Sequence, residues 1–418
     1  MGKRTRLLIG LGLAALVNAC AGRNLPPEPD SYVAADAIGA ERAAELAASP
    51  ASTWLDDMNS VEMSQLAREA LAGSPDLQIV EAQYHASRWR ARGAFGRNLL
   101  PSMSVGLDRT RGQEPGDPDP RDRTHPRDIY SSTVIASWEI DLWGRLTAAT
   151  LAADLDADAR EEDLNGARLS VAGQASQAWV DLIEAQQLLA LSLEDLQTRE
   201  RALDLTQRRY DAGIASSLNL RTARSQVASA RASYATAEDL VLIRARRLQE
   251  IMGRYPDGTL RALGELPILA PIAAAGAPAD LLERRPDVLA SENRMRAAGF
   301  RIHEARAAML PRLTLTGTAF NPGEEGNSIS DVDDSVNMIS NVVAGLTQPI
   351  FNGGALLAES RASVADRRAA AADYVATSIA AWREVENTIS ADGSLEERER
   401  QFAIAAEEAR EAQALAER

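Results

Sequence analysis

Ser74-Pro75-Asp76-Leu77 recurs about 210 residues later as Arg285-Pro286-Asp287-Val288, and the reading of this pair decides the fold. The match continues beyond it. Leu99-Leu100-Pro101-Ser102-Met103-Ser104-Val105 returns as Met309-Leu310-Pro311-Arg312-Leu313-Thr314-Leu315, and Asp141-Leu142-Trp143 is echoed by Pro349-Ile350-Phe351. Self-similarity at a nearly constant offset marks an internal duplication. Each repeat runs in the same order: a helix opened by Pro and Asp, a proline stop, two strand-like stretches around a loop, then a very long helix. Pro75 and Pro286 suit the first helical turn, where the missing N–H has no intrahelical partner to lose.

The strand-like stretches carry a period of two. In the first repeat Met103, Val105 and Leu107 alternate with Ser102, Ser104 and Asp108. Tyr130, Val134, Ala136, Trp138, Ile140 and Leu142 then alternate with Ser131, Thr133, Ser137, Glu139 and Asp141. In the second, Leu313, Leu315 and Ala319 alternate with Thr314, Thr316 and Thr318, and Val336, Met338, Val342, Ala344 and Leu346 with Asn337, Asn341 and Thr347. The spacing predicts strands at about 102–109, 129–142, 312–320 and 335–348, joined by polar loops rich in Pro, Gly and Asp. Runs of roughly ten residues with one apolar face match the length a tilted strand needs to cross a membrane. Tyr130, Trp138 and Trp143 stand where an interfacial aromatic belt is expected. Two amphipathic hairpins on an ordinary core are the competing reading. Four strands cannot close a membrane barrel, because no edge can be left unpaired and single-chain barrels begin at about eight strands. The chain is therefore expected to oligomerise, two copies supplying eight strands or three supplying twelve.

No proline falls between Pro126 and Pro256. Leu182, Leu189, Leu196, Leu203 and Tyr210 repeat at sevens, as do Leu220, Val227, Tyr234, Val241 and Leu248, with Ala223, Ala230 and Ala237 beside the second series. Both are heptad seams, and they predict long helices over 145–209 and 217–252, with a third over 353–418. The first would run roughly 95 Å at 1.5 Å per residue and must pack along its length. Between the first two lies Tyr210-Asp211-Ala212-Gly213-Ile214-Ala215-Ser216-Ser217-Leu218, where Gly213 suits a left-handed helix end and Ser216 or Ser217 a cap. Pro256, Pro267, Pro271 and Pro278 mark an irregular belt over 254–284.

At the N-terminus, Lys3, Arg4 and Arg6 precede an apolar run from Leu7 to Val17 that is too short to span a bilayer. It reads as a signal peptide over 1–19. Leu16-Val17-Asn18-Ala19-Cys20 resembles a bacterial lipobox, in which Cys20 becomes the acylated N-terminus of an anchor segment that leads, with a first helix, to residue 73. The remaining organisation is a first repeat over 74–253 and a second over 285–418. By the repeat offset Arg418 corresponds to about Arg208, so the second repeat is read as truncated and the sequence as a fragment.

Composition agrees with rods and thin sheets. Of 418 residues, 45% are hydrophobic but only 4% aromatic, and alanine makes up the difference. Such chains favour long, closely spaced helices. Forty-five Lys plus Arg against 60 Asp plus Glu give a net charge of −15, which argues against a nucleic-acid partner. One cysteine excludes an internal disulfide framework. No phosphate-binding G-x-x-x-x-G-K-[ST] run, Ser-His-Asp arrangement or zinc spacing is present, so neither an enzyme nor a cofactor is expected. The Asp331 to Asp334 run lacks calcium-loop spacing. His85, His303 and the pair Glu161-Glu162 read as helix-face residues.

The lipobox, the duplication, Trp138-Glu139-Ile140-Asp141-Leu142-Trp143-Gly144-Arg145, Tyr210-Asp211-Ala212-Gly213 and Pro278-Ala279-Asp280-Leu281-Leu282-Glu283-Arg284-Arg285-Pro286-Asp287 together resemble the TolC-type outer-membrane factors, most closely the NodT-like lipoproteins of RND efflux systems. The resemblance implies a mainly α protein with membrane β: a periplasmic α-helical barrel plus four strands per chain of a shared twelve-stranded trimeric β-barrel. It implies a passive exit duct for small molecules in the outer membrane, with outer-membrane lipid around it. It also implies a periplasmic adaptor and an inner-membrane RND pump as partners, the adaptor meeting the turn at Tyr210, Asp211, Ala212, Gly213, Ser217 and Leu218. In the family the hairpin absent here from the second repeat carries part of the closing constriction, so gating residues are not assigned. A periplasmic adaptor lipoprotein or a structural coiled-coil lipoprotein are the rivals; neither would carry duplicated strand pairs.

Overall fold

The computed structural model describes residues 54–55, 58–112, 127–267, 284–321 and 339–416. Cys20, the signal segment, most of the anchor segment, the strand-joining loops and much of the belt lie outside them. The elements, in chain order, are α1 Val61–Gly73, α2 Pro75–Leu99, β1 Ser102–Gly112, β2 Arg127–Ile140, α3 Arg145–Asp211, α4 Ser217–Ile251, α5 Pro286–Ala307, β3 Arg312–Asn321, β4 Ile339–Thr347 and α6 Ala355–Ala416.

Two compact units partition the chain, and they cut across the duplication. One takes residues up to Pro75 with Leu169–Ala270; the other takes Asp76–Arg168 with Pro271–Arg418. The second unit thus combines the opening part of the first repeat with the second repeat, 285–418. Strand pairing explains why: β2 of the first repeat hydrogen-bonds β3 of the second from Ile140↔Leu313 to Ser132↔Asn321, which draws the two halves into one body. The repeat is a unit of duplication rather than of folding.

In that unit the four strands form one antiparallel sheet in the order β1-β2-β3-β4. Its register puts Met103 opposite Ala136, Val105 opposite Val134, Trp138 opposite Leu315, Leu313 opposite Leu346 and Gly317 opposite Val342. Directly opposed residues share a face, so these apolar positions line one side. Ser102, Ser104, Ser137, Thr314, Thr316 and Thr318 line the other. The helices beside the sheet pack largely through alanine: Ala91, Ala94, Ala152, Ala157, Ala297 and Ala298 are all buried. A Cβ placed on Gly166 of α3 would lie 3.7 Å from Pro286 Cβ, in ordinary contact with α5.

The other unit is built on a helical hairpin. Leu220, Val227, Val241 and Leu248 of α4 are buried, as the heptads predict. Along α3 the seam grades from Leu182, fully buried, through half-buried Leu189, Leu196 and Leu203 to exposed Tyr210. Polar rungs climb the same pair: Arg244–Asp181 at 3.0 Å, Arg231–Glu200 at 2.7 Å and Arg224 to Gln207 at 3.0 Å. At the hairpin's other end the chain leaves α4 through Gly253 (φ 70°) and is strapped down by side chains that replace backbone partners. The Gln186 amide accepts from Ala262 N–H and donates to its carbonyl, the Glu62 carboxylate accepts from Leu263 and Gly264 N–H, and Gln249 accepts from Gly258 N–H. Trp179 is fully buried beside Gly264.

Most element boundaries shift by one to four residues from the sequence reading, and three of the shifts have a visible physical reason. The second strand ends at Ile140, not 142, because Asp141 leaves the ladder to cap α3: it accepts from Leu146 N–H at 3.1 Å and from Thr147 N–H at 2.8 Å. The final helix begins at Ala355, not 353, because Gly353 and Gly354 sit at φ 68° and 83°, outside helical space. The first long helix runs on to Asp211, two residues past 209, ending only when Gly213 turns left-handed.

Candidate functional site

Three constructions stand out: the sheet, the joint at its base and the hairpin tip. Among the described residues the sheet has two unpaired edges, β1 and β4. Its apolar face leaves large side chains in the open, including Met103 at 72% exposure and Val342 at 74%. Exposed apolar surface of this extent, with free strand edges, requires a partner or a lipid environment.

The joint at the sheet's base is polar and highly connected. Trp138 Nε1 donates to the Leu99 carbonyl at 3.2 Å, and Trp143 Nε1 donates to the Pro311 carbonyl at 2.7 Å. His303 Nε2 donates to the Trp143 carbonyl at 2.8 Å. The Arg145 guanidinium grips Glu139 at 2.8 and 2.9 Å. Trp138 and Tyr130 therefore share the apolar face of β2, whereas Trp143 lies in the turn after it and fastens α3 to the start of β3. An indole that must both hydrogen-bond and contact apolar surroundings suits a wet–apolar boundary. Tyr130 lies at the opposite end of β2, directly across from Arg109.

Below the joint, α3 carries an acidic row clamped from both sides. Arg88 of α2 meets Asp158 at 2.8 Å and Glu161, while from α5 Arg294 meets Asp163 and Arg301 meets Asp156. Glu161, read from sequence as a solvated helix face, is thus an interhelical partner. The missed signal lies in pairs separated by 73, 131 and 145 residues, for which no local pattern exists. Of these, Arg294, Arg301 and Asp156 border a cleft of about 750 Å³ that Arg90, Arg160 and Asp366 also line. Charged side chains alternate there with Ala91, Ala153, Ala298 and Ala370, unlike the mainly apolar lining of small-molecule sites.

The Arg-Pro-Asp run has a structural account of the same kind. Arg285 forks between Asp287 and Glu384 of α6, each at 2.8 Å. The hydrogen bond and charge of Arg285 hold the Asp287 carboxyl below the usual carboxylate range against the opposing effect of burial. A depressed carboxylate stabilises the fold above its unfolded pKa and ceases to do so as pH falls through the folded value. The side chains are one-quarter to one-half exposed, so solvent screening limits the worth of each pair. Arg285→Ala is expected to cost about 0.5–1 kcal/mol at neutral pH and to flatten the fall in melting temperature as pH drops below about 4, as thermal scans at stepped pH would show.

At the hairpin tip, Gly213 (φ 74°) ends α3 with Ile214 N–H bonded to the Arg209 carbonyl at 2.8 Å and Gly213 N–H to that of Tyr210 at 2.9 Å. This is the Schellman arrangement. The cap of α4 is Ser216, whose hydroxyl accepts from Asn219 N–H at 3.2 Å, and Ser217 is the first helical residue. Tyr210, Asp211, Ala212 and Gly213 are exposed around the turn. Leu218 and Ile214 are 71% and 77% exposed, the latter a residue the sequence reading passed over.

Comparison with known proteins fits these constructions. The model of the family described as "Outer membrane efflux protein" matches residues 66–254 and 277–418. The outer membrane protein OprJ of Pseudomonas aeruginosa is 29% identical over 97% of this chain and 84% of its own length. The pyoverdine export outer membrane protein OpmQ of Pseudomonas putida is 30% identical over 86% of this chain and 76% of its own. A crystal structure of a membrane protein from Pseudomonas aeruginosa superposes with a TM-score of 0.76 at 30% identity, covering 86% of this chain and 83% of that one. The chain belongs to the outer membrane efflux protein family: it is a transport component and not an enzyme, with a TolC-like fold, an outer-membrane location and a periplasmic helical domain.

Proposed function

We propose that three copies of this chain join their sheets edge to edge into one twelve-stranded barrel, forming a passive duct through which small molecules leave the cell. The observation that carries this reading is a four-stranded sheet with two open edges and one apolar face. Closure with neighbouring copies satisfies the edges, and lipid covers the apolar face. From Tyr130 to Ile140, ten steps at about 3.4 Å tilted by roughly 45° reach about 24 Å, close to the roughly 25 Å apolar band of outer-membrane barrels. The polar face then lines a water-filled lumen. Energy comes from an inner-membrane pump reached through a periplasmic adaptor, and Cys20 carries the lipid anchor. The mass of the detergent-solubilised protein tests the assembly: a heat-modifiable trimer is expected, and a monomer or dimer would refute it.

The adaptor meets the hairpin tip, where Gly213 sets a sharp turn and Ile214 and Leu218 present apolar side chains with no cover of their own. A photo-crosslinker at Ile214 or Leu218 is expected to capture the adaptor in cells, whereas one at exposed Tyr255 in the other loop of the same unit is not. Equal capture at both positions would remove the tip's special role.

A further inference from the structure

We propose that one copy of this chain takes the next in a strand register, and with an aromatic seat, whose template lies inside the chain at the junction of β2 with β3. This rests on the reading of the sheet as one part of a barrel. β2 leads into α3, β3 leads out of α5, and the two pair antiparallel. Likewise β4 leads into α6 and β1 leads out of α2. In the duplication β4 is the counterpart of β2 and β1 that of β3, and these are the two strands left with an open edge among the described residues. A second copy therefore meets the first through strands of the same sequence pattern and the same directions as the pair already joined.

The repeat fixes the alignment. The match of Asp141-Leu142-Trp143 to Pro349-Ile350-Phe351 carries β2 onto β4, and that of Leu310-Pro311 to Leu100-Pro101 carries β3 onto β1. Trp138↔Leu315 then becomes Leu346 opposite the partner's Val105, Ala136↔Gly317 becomes Ala344 opposite the partner's Leu107, and Glu139↔Thr314 becomes Thr347 opposite the partner's Ser104. The faces give an independent check, because the pairing of β4 with β3 and of β1 with β2 sets them without the duplication. Leu346 and Ala344 lie on the apolar face, as do Val105 and Leu107, whereas Thr347 and Ser104 lie on the polar one. A slip of one residue would set each against the opposite kind.

The seat lies just beyond the strands. Within the chain the Trp143 indole crosses to the start of β3 and donates to the Pro311 carbonyl at 2.7 Å. Phe351 holds the corresponding place after β4, and Leu100-Pro101 the corresponding place before β1. Phe351 is 88% exposed, and Ile350 and Leu100 are exposed with it. These are uncovered apolar side chains at the two ends that the register brings together, and covering them removes apolar surface from water. Because phenylalanine has no N–H, the seat between copies is apolar where the one within the chain is also hydrogen-bonded.

The test uses the full chain in outer-membrane fractions, with pairs of cysteines introduced on the polar face and oxidised. Directly opposed residues come within disulfide reach, and those two places along do not. Thr347→Cys with Ser104→Cys is expected to lock the protein into a covalent oligomer that survives boiling without reductant. Thr347→Cys combined with Ser102→Cys or with Gly106→Cys is expected to fall to monomer on boiling. Preferential linkage of either shifted pair overturns the register. Linkage of no pair, in a protein that still forms the heat-modifiable oligomer, sinks this proposal alone; absence of that oligomer from the unsubstituted chain sinks the barrel reading with it. For the seat, the temperature at which the oligomer dissociates should fall for Phe351→Ala and rise for Phe351→Trp, whose indole gains the Pro101 carbonyl of the partner subunit as Trp143 has that of Pro311. Identical dissociation temperatures for the two variants and the unsubstituted protein overturn the seat.

Discussion

Gly253→Ala is expected to destabilise the helical-hairpin unit by about 2–5 kcal/mol. Gly253 ends α4 at φ 70°, with Arg254 N–H returning to the Gln249 carbonyl at 2.8 Å. A side chain in that left-handed conformation costs roughly 1–2 kcal/mol. The larger part is steric. A Cβ there would collide with the Gly73 carbonyl oxygen and lie 3.1 Å from its carbon and 3.3 Å from Pro75 Cδ. The obstacle is backbone, held where α1 ends and α2 begins, so no rotamer change relieves it, and overpacking adds about 1–3 kcal/mol.

Gly213 supplies the control, because it has the same backbone requirement (φ 74°) and nothing within 4 Å of an added methyl. Gly213→Ala should therefore cost only the conformational part, roughly 1–2 kcal/mol. Chemical denaturation followed by far-ultraviolet circular dichroism measures both. Equal losses at the two glycines would show that the Gly73 contact contributes nothing.

How much of this was legible beforehand depends on the range of the signal. The period of two in Met103, Val105 and Leu107 and the sevens of Leu220, Val227, Val241 and Leu248 are local, and the faces they define are the faces observed. Proline and glycine punctuation is local as well, which is why Pro75 and Pro286 open their helices where expected. Asp141 misled the reading because a polar residue in the right phase continues a strand pattern as well as it caps a helix. Only the Thr147 and Leu146 N–H groups, placed by the turn at Gly144, decide between the two. The Arg88, Arg294 and Arg301 pairs were invisible because each charge alone looks like ordinary helix surface. Their meaning arises when α2 and α5 flank α3. The compact units were hidden for the same reason: a duplication is written in the sequence, while the pairing of β2 with β3 is a consequence of folding.

The membrane reading meets its most severe test on a single pair of neighbouring residues. Val134 lies between Val105 on β1 and Ala319 on β3, near the middle of the apolar face. Its neighbour Thr133 lies between Gly106 and Phe320 on the opposite face. In a barrel, Val134→Arg places a guanidinium in the hydrocarbon at mid-depth, at about 2–4 kcal/mol per chain. If three chains close one barrel, as proposed above, the penalty is felt three times in a single cooperative assembly and approaches roughly 6–12 kcal/mol. Thr133→Arg adds the same side chain one position along, where it faces water in the lumen and meets little resistance. The expected result is loss of the heat-modifiable oligomer from outer-membrane fractions for Val134→Arg and near-normal assembly for Thr133→Arg. A sheet packed on an ordinary protein core would reject the charge at Val134 as well, so it is the heat-modifiable oligomer in the outer-membrane fraction of the unsubstituted protein that separates that reading from the barrel. Since the two substitutions share charge and strand, only the direction of the side chain separates them, and equal tolerance of both would mean that the apolar face of this sheet does not meet lipid.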